Sequence, residues 1–137
     1  MAYTSTAFSY TTRDDFDYSI VFGGCFEKDI VSLKINNRSI FNNYKVENRD
    51  AIKKGNLSLT QADKKIHLFY NGQERFTGKV SFGFYLDIAL TVNNKINKFK
   101  IDLRKGKVIL VENCPIEKGS STKKVTIEQM QEQVIFM

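Results

Sequence analysis

Apolar and polar residues alternate along most of this chain, and two-residue turn signals repeatedly reset the alternation. Segment 29–35, DIVSLKI, places Val31, Leu33 and Ile35 on one face, and segment 38–46 returns with Ile40, Tyr44 and Val46 at the same spacing. Between them lies Asn36-Asn37. Asn and Gly tolerate the positive φ angles of tight hairpin turns, so the pattern predicts two antiparallel strands. The same reasoning applies at Asn71-Gly72, Asn93-Asn94 and Lys105-Gly106. KIHLFY (65–70) precedes the second signal; the strand predicted over 73–85 follows it, with Val80, Phe82 and Phe84 alternating with polar or small residues. LDIALTV (86–92) turns Leu86, Ile88, Leu90 and Val92 inward. After Asn93-Asn94, Phe99, Ile101 and Leu103 face inward while Lys98, Lys100 and Asp102 face outward. Ile96 falls out of step, which predicts a bulge near Asn97. DYSIVF (17–22) and 57–60 read as short strands, and KVILVE (107–112), apolar on both faces, reads as a central one.

About eight to ten short strands at such spacing predict an all-β fold, an antiparallel β-sandwich of jelly-roll or Ig-like type. An open barrel of the oligonucleotide-binding type is the runner-up. Residues 1–13 (uncharged until Arg13) read as an N-terminal arm, 14–116 as the sandwich domain, and 117–137 as a linker and C-terminal docking segment. The last segment reads two ways. Thr126 with Gln129 fits a capping box, and Ile127, Met130 and Val134 have helical spacing, which predicts a short C-terminal helix. Gln133 to Met137 fits a final strand equally well.

At 137 residues the chain is long enough for one domain with a real core. No stretch approaches the roughly 18 consecutive apolar residues of a membrane helix, so no membrane partner is expected. The opening MAYTSTAFSY lacks the basic and apolar regions of a secretory signal. Cys25 and Cys114, with the single histidine His67, fall short of the roughly four ligands of a zinc site. Two buried free thiols are the expected state, and a single long-range disulfide, which requires an oxidising location, is the alternative.

Candidate chemistry is sparse. A Ser-His-Asp or Cys-His site would have to form around His67, which the alternation makes an ordinary strand side chain. Cys25 beside Gly23-Gly24 lacks a following helix to activate it. No acid–base carboxylate pair and no phosphate-cradling Gly-rich loop is evident. The chain is therefore read as a non-enzyme without a cofactor or metal. Asp14, Asp15, Asp17, Glu27 and Asp29 leave open a calcium site, against a solvated acidic edge or an intersubunit contact.

The net charge of +6 is concentrated in one predicted hairpin, where Lys95, Lys98, Lys100, Arg104, Lys105 and Lys107 oppose only Asp102. Such a surface suits a charged protein partner or single-stranded nucleic acid, although Phe99 shares the inward face and is unsuited to stacking on a base. Tyr44, Tyr70 and Tyr85 are the candidate platforms for a carbohydrate. Val134, Ile135, Phe136 and Met137 form an apolar end expected to dock on the chain's own sheet or on a neighbour.

The segment from Gly23 to Val46, GGCFEKDIVSLKINNRSIFNNYKV, resembles β-sandwich modules in virion proteins of tailed phages, including the crAss-like phages. It covers under a fifth of the chain and carries no catalytic signature. The resemblance implies an auxiliary capsid or head-decoration protein, made in the host cytoplasm and residing on the capsid surface. Its implied partners are the major capsid protein or copies of itself. A structural decoration protein that binds neighbouring subunits through its terminal arms, sheet edges and charged patches is thus the leading expectation. A carbohydrate-binding sandwich is the first alternative, and a single-stranded nucleic-acid-binding protein the second.

Overall fold

A computed structural model describes residues 16–48 and 56–131, with the side chains of Phe76 and Thr77 excepted. Among the described residues there are ten strands: β1 (Tyr18–Phe22), β2 (Phe26–Ile35), β3 (Arg38–Asn48), β4 (Leu57–Ala62), β5 (Lys65–Tyr70), β6 (Gln73–Gly78), β7 (Tyr85–Val92), β8 (Lys95–Asp102), β9 (Val108–Pro115) and β10 (Lys123–Met130). They form a six-stranded sheet in the order β10-β9-β1-β4-β5-β6 and a four-stranded sheet in the order β3-β2-β7-β8. The two sheets pack as an all-β sandwich.

Alternation builds the core. Val31, Leu33 and Ile35 of β2, and Leu86, Ile88, Leu90 and Val92 of β7, are buried against Ile20 and Phe22 of β1, Leu57 and Leu59 of β4, Ile66 and Leu68 of β5, and Ile109 and Val111 of β9. Each large apolar side chain so buried contributes about 1.5–3 kcal/mol. The three Asn-led turns close the hairpins β2-β3, β5-β6 and β7-β8. Asn36, Asn37, Asn71, Gly72, Asn93 and Asn94 all have positive φ. A further hairpin, β4-β5, turns at Asp63-Lys64, also with positive φ at both residues.

Several expectations are corrected. Lys105-Gly106 does not close a hairpin, because β8 and β9 belong to different sheets. Leu103–Lys105 instead forms one 3-10 turn, capped by the Asp102 carboxylate on the Arg104 N–H, and Gly106 passes close under β10. A Cβ there would meet the Met130 backbone at 2.9 Å. The bulge expected near Asn97 is absent: β7 and β8 pair in continuous register, placing Asn97 opposite Leu90 and Ile96 opposite Thr91 on the outer face. Register shifts fall instead between β2 and β3, where Lys28 and Asn43 take positive φ, and between β5 and β6 at Ile66 and His67. The strand expected over 73–85 ends at Gly78, and 79–84 crosses to the other sheet. The short C-terminal helix is overturned, since 123–130 is a strand paired along its whole length with β9. Cross-strand partners there outweigh the helical spacing of Ile127 and Met130. Gln133 to Met137 lies outside the described residues. One pair is parallel, β1 with β9, within an otherwise antiparallel arrangement.

The two cysteines are joined. Cys25 and Cys114 form a disulfide with Cα atoms 4.9 Å apart, bridging the β1-β2 connection to the end of β9. The expectation of free thiols fails because the parallel β1-β9 pair brings these distant residues together. The Asn113 N–H donates to the Gly24 carbonyl at 3.3 Å, and a Cβ on Gly23 would meet Leu110 Cδ1 at 2.7 Å. The Leu110 methyl therefore occupies the space that a side chain at position 23 would take.

Candidate functional site

The sandwich has two ends, set by the strand registers. At one, β1 runs out at Phe22 beside Val111 of β9, and β7 runs out at Val92 beside Lys95. At the other, Tyr18 lies beside Gln61, and Tyr85 beside Asp102.

The first end is closed by polar clips. Asp29 is buried and accepts from the Glu27 N–H at 2.9 Å, Asn93 Nδ2 at 2.7 Å and Asn113 Nδ2 at 3.4 Å, so it spans the two sheets. Lys123 Nζ donates to the Cys25 carbonyl at 2.9 Å and pairs with Glu27 at 3.0 Å. Tyr44 of β3 and Tyr70 of β5 pack with ring centres 4.6 Å apart, and the Tyr70 hydroxyl donates to the Lys45 carbonyl at 3.0 Å. These two tyrosines join the sheets, whereas Tyr85 is 62% exposed. A hollow of about 290 Å³ at this end is lined by residues including Asp29, Lys95 and Lys124.

The second end is open. A cleft of about 590 Å³ lies between the 79–84 crossover, the Leu103–Lys105 turn and the Asp63-Lys64 hairpin tip. Gln61, 1% exposed, fastens the crossover from behind. Its Oε1 accepts from the Phe82 N–H at 2.9 Å, and its Nε2 donates to the Phe82 carbonyl at 3.2 Å and to Asp17 at 2.8 Å. Gln129 Nε2 holds the 103–106 turn through the carbonyls of Asp102 at 2.9 Å and Gly106 at 3.0 Å. Arg104 pairs with Asp102 at 2.9 Å and donates to the Tyr85 hydroxyl. The hydrogen bonds from the Arg104 side chain and then its backbone hold the Asp102 carboxyl below its ordinary pKa, and the same pairing raises that of Arg104. Nearby in the core, the Tyr18 hydroxyl has no hydrogen-bond partner among the described residues. Burial, and then the charge of Asp17, push its pKa up.

The six basic residues of 95–107 are dispersed. Lys98 and Lys100 project from the outer face of β8, and Lys95 lies at the closed end. Arg104 and Lys105 sit on the 3-10 turn at the open end. Lys107 turns back to donate to the Phe16 carbonyl at 3.2 Å, with its ammonium 4.2 Å from the Phe16 ring centre. What surrounds Lys98 is an outer sheet face that the sequence reading missed. Lys34 of β2, Ala89 of β7 and Lys98 share one row; Ser32, Thr91 and Ile96 share the next.

Of the acidic candidates, the three described, Asp17, Glu27 and Asp29, do not gather at one place. Asp17 bonds Gln61 before β1, and Glu27 and Asp29 lie beyond its far end. No group of three or more His, Cys, Asp or Glu that could hold a metal occurs among the described residues, which exclude Asp14 and Asp15. His67 Nδ1 lies 2.6 Å from Glu74 across β5-β6. The 1–13 arm and Val134, Ile135, Phe136 and Met137 lie outside the described residues.

No protein-family model matches this chain, and no curated protein or solved structure does.

Proposed function

We propose that this chain is a non-enzymatic structural module of the capsid-decoration kind, which attaches to an acidic protein surface through the outer face of its four-stranded sheet. The observation that carries the reading is that face. Its centre is made of small side chains, Ser32, Ala89 and Thr91; Lys34, Lys98 and Lys100 stand around it with no side-chain ion pair or hydrogen bond among the described residues, and Asp87 lies across from Lys100. Lys34 and Lys98 are separated by two inter-strand spacings, about 10 Å. Lys98 and Lys100 are about 7 Å apart along one strand. Ile30 and Ile96, 39% and 61% exposed, add apolar contact on the same face. A sheet face with spaced cations in excess of its carboxylates complements a carboxylate-bearing protein surface, and its contribution to encounter falls with salt.

Sedimentation of the purified chain with poly-glutamate, as an acidic polypeptide probe, tests this. A complex at low salt that is lost in the K34E/K98E/K100E triple variant is the expected result. Absence of a complex, equal binding by the triple variant, or preference for oligo(dT) over poly-glutamate overturns it. A gene lying among portal and major capsid genes is expected for the virion form of the proposal, and a different neighbourhood would remove that form.

A further inference from the structure

We infer that the open end of the sandwich is a binding site for a neutral saccharide, with a sugar ring laid against Phe84 and its hydroxyls met by Asp63 and Lys64. The site is separate from the outer sheet face and does not depend on the docking role proposed for it.

The cavity of about 590 Å³ falls within the roughly 300–1,000 Å³ of small-ligand sites. It is also held in shape before any ligand arrives. Gln61 grips both backbone polar groups of Phe82, Leu103 N–H donates to the Phe84 carbonyl at 2.8 Å, and Gln129 ties down the opposite wall. A wall fastened from behind loses little freedom on binding.

The chemistry narrows the ligand. Phe84 is 64% exposed, the most exposed of the large apolar side chains among the described residues, and it lines a concave site. Its ring gives the open cavity an apolar wall beside polar groups, the make-up of small-ligand sites. Around it, the cations Lys64, Arg104 and Lys107 are offset by Asp17, Asp63 and the Asp102 that holds Arg104. The site is therefore close to neutral and presents both donors and acceptors. Asp63 and Lys64, adjacent at a hairpin tip, have no side-chain partner among the described residues. A phosphorylated or polyanionic ligand would call for an excess of cations. A wholly apolar ligand would strip water from Asp63 and Lys64 without replacing it. A neutral sugar has one apolar C–H face and a rim of hydroxyls that both donate and accept, and it suits all three features.

The test is a glycan array of neutral and acidic oligosaccharides probed with the full chain, followed by calorimetric titration of the hit. Binding to neutral glycans, weakened at least tenfold in Phe84→Ala and in the double variant D63A/K64A, is expected. Phe69→Ala, which removes an exposed aromatic on another sheet surface, should leave affinity unchanged, and near-UV circular dichroism confirms that each variant folds. No neutral glycan bound, hits confined to acidic glycans, or binding that survives both cleft variants would overturn the inference.

Discussion

The two ends of this sandwich are built from the same strands yet treat their polar groups in opposite ways. At the closed end, Asp29 spends its carboxylate on Asn93, Asn113 and the Glu27 N–H, and a disulfide fixes the β1-β2 connection to β9. At the open end, Gln61 does a similar fastening task from behind the wall, and Asp63, Lys64 and Phe84 remain turned toward a cavity. One end contributes stability and the other offers a surface. The contrast predicts that substitutions at the closed end act on folding, whereas exposed positions at the open end act on binding.

The disulfide should have the largest effect. It closes a loop spanning 89 positions, and in the chain-entropy view long loops gain most. C25S/C114S, or reduction, should lower unfolding free energy by about 2–5 kcal/mol. Denaturant unfolding with and without a reductant reads this directly; a midpoint unmoved by reduction would show that the bond constrains nothing.

Asp29→Ala comes next. It leaves two amides and a backbone N–H at the sheet junction without their acceptor, a cost of about 2–3 kcal/mol. Gln61→Leu should cost about 1–3 kcal/mol by orphaning the Phe82 N–H, and it should also increase amide exchange across 80–84. The two variants sharpen the comparison because only Gln61→Leu should alter the open cleft. If Asp29→Ala loosened 80–84 as much, the ends would not be independent.

Tyr18→Phe should fall between no change and a gain of about 1 kcal/mol, since it removes a buried hydroxyl with no partner among the described residues. A loss above about 1 kcal/mol in thermal or denaturant unfolding would show that the hydroxyl is bonded after all.

The hairpins were legible because local chemistry decides them. Asn36-Asn37, Asn71-Gly72 and Asn93-Asn94 carry the left-handed conformation in their residue types, and alternation on β2 and β7 fixes which face is buried. Asp63-Lys64 adopts the same turn with a less telling pair, so its strands were visible and their connection was not. Lys105-Gly106 misled for the converse reason. A glycine that admits the close Met130 backbone looks, in sequence, like one that turns a hairpin. Long-range pairing was beyond local reading. The parallel β1-β9 contact creates the disulfide, the Lys34–Ala89–Lys98 row requires the order of three strands, and the cleft is walled by two crossovers and a hairpin tip. Candidate residues chosen by sequence proximity, such as the six basic residues of 95–107, were divided among both ends and a sheet face once the strands were ordered.

The smallest effect expected is a pH dependence confined to the open end. Asp102 is held below its ordinary value of 3.8 chiefly by the hydrogen bonds from the Arg104 side chain and backbone. A carboxylate whose folded pKa is depressed contributes stability that is fully present above the unfolded value, and loses it as pH falls through the lower folded value. Between neutrality and about pH 5 the pair should therefore contribute a constant amount, with its loss confined to more acid solution. The pair is on the surface, so the amount is small and weakens with salt. Carboxyl NMR should place the Asp102 midpoint below 3.8, and Arg104→Gln should move it up toward that value. Asp102→Asn should remove the acid-range step and free Arg104 from its hold beside Tyr85, while leaving Asp29 and the disulfide end untouched. A midpoint at or above the ordinary value would mean that Arg104 does not hold Asp102 in solution. Asp102 would still be ionised at neutral pH, so the charge balance of the cleft would persist while Arg104 would be free to turn toward a ligand.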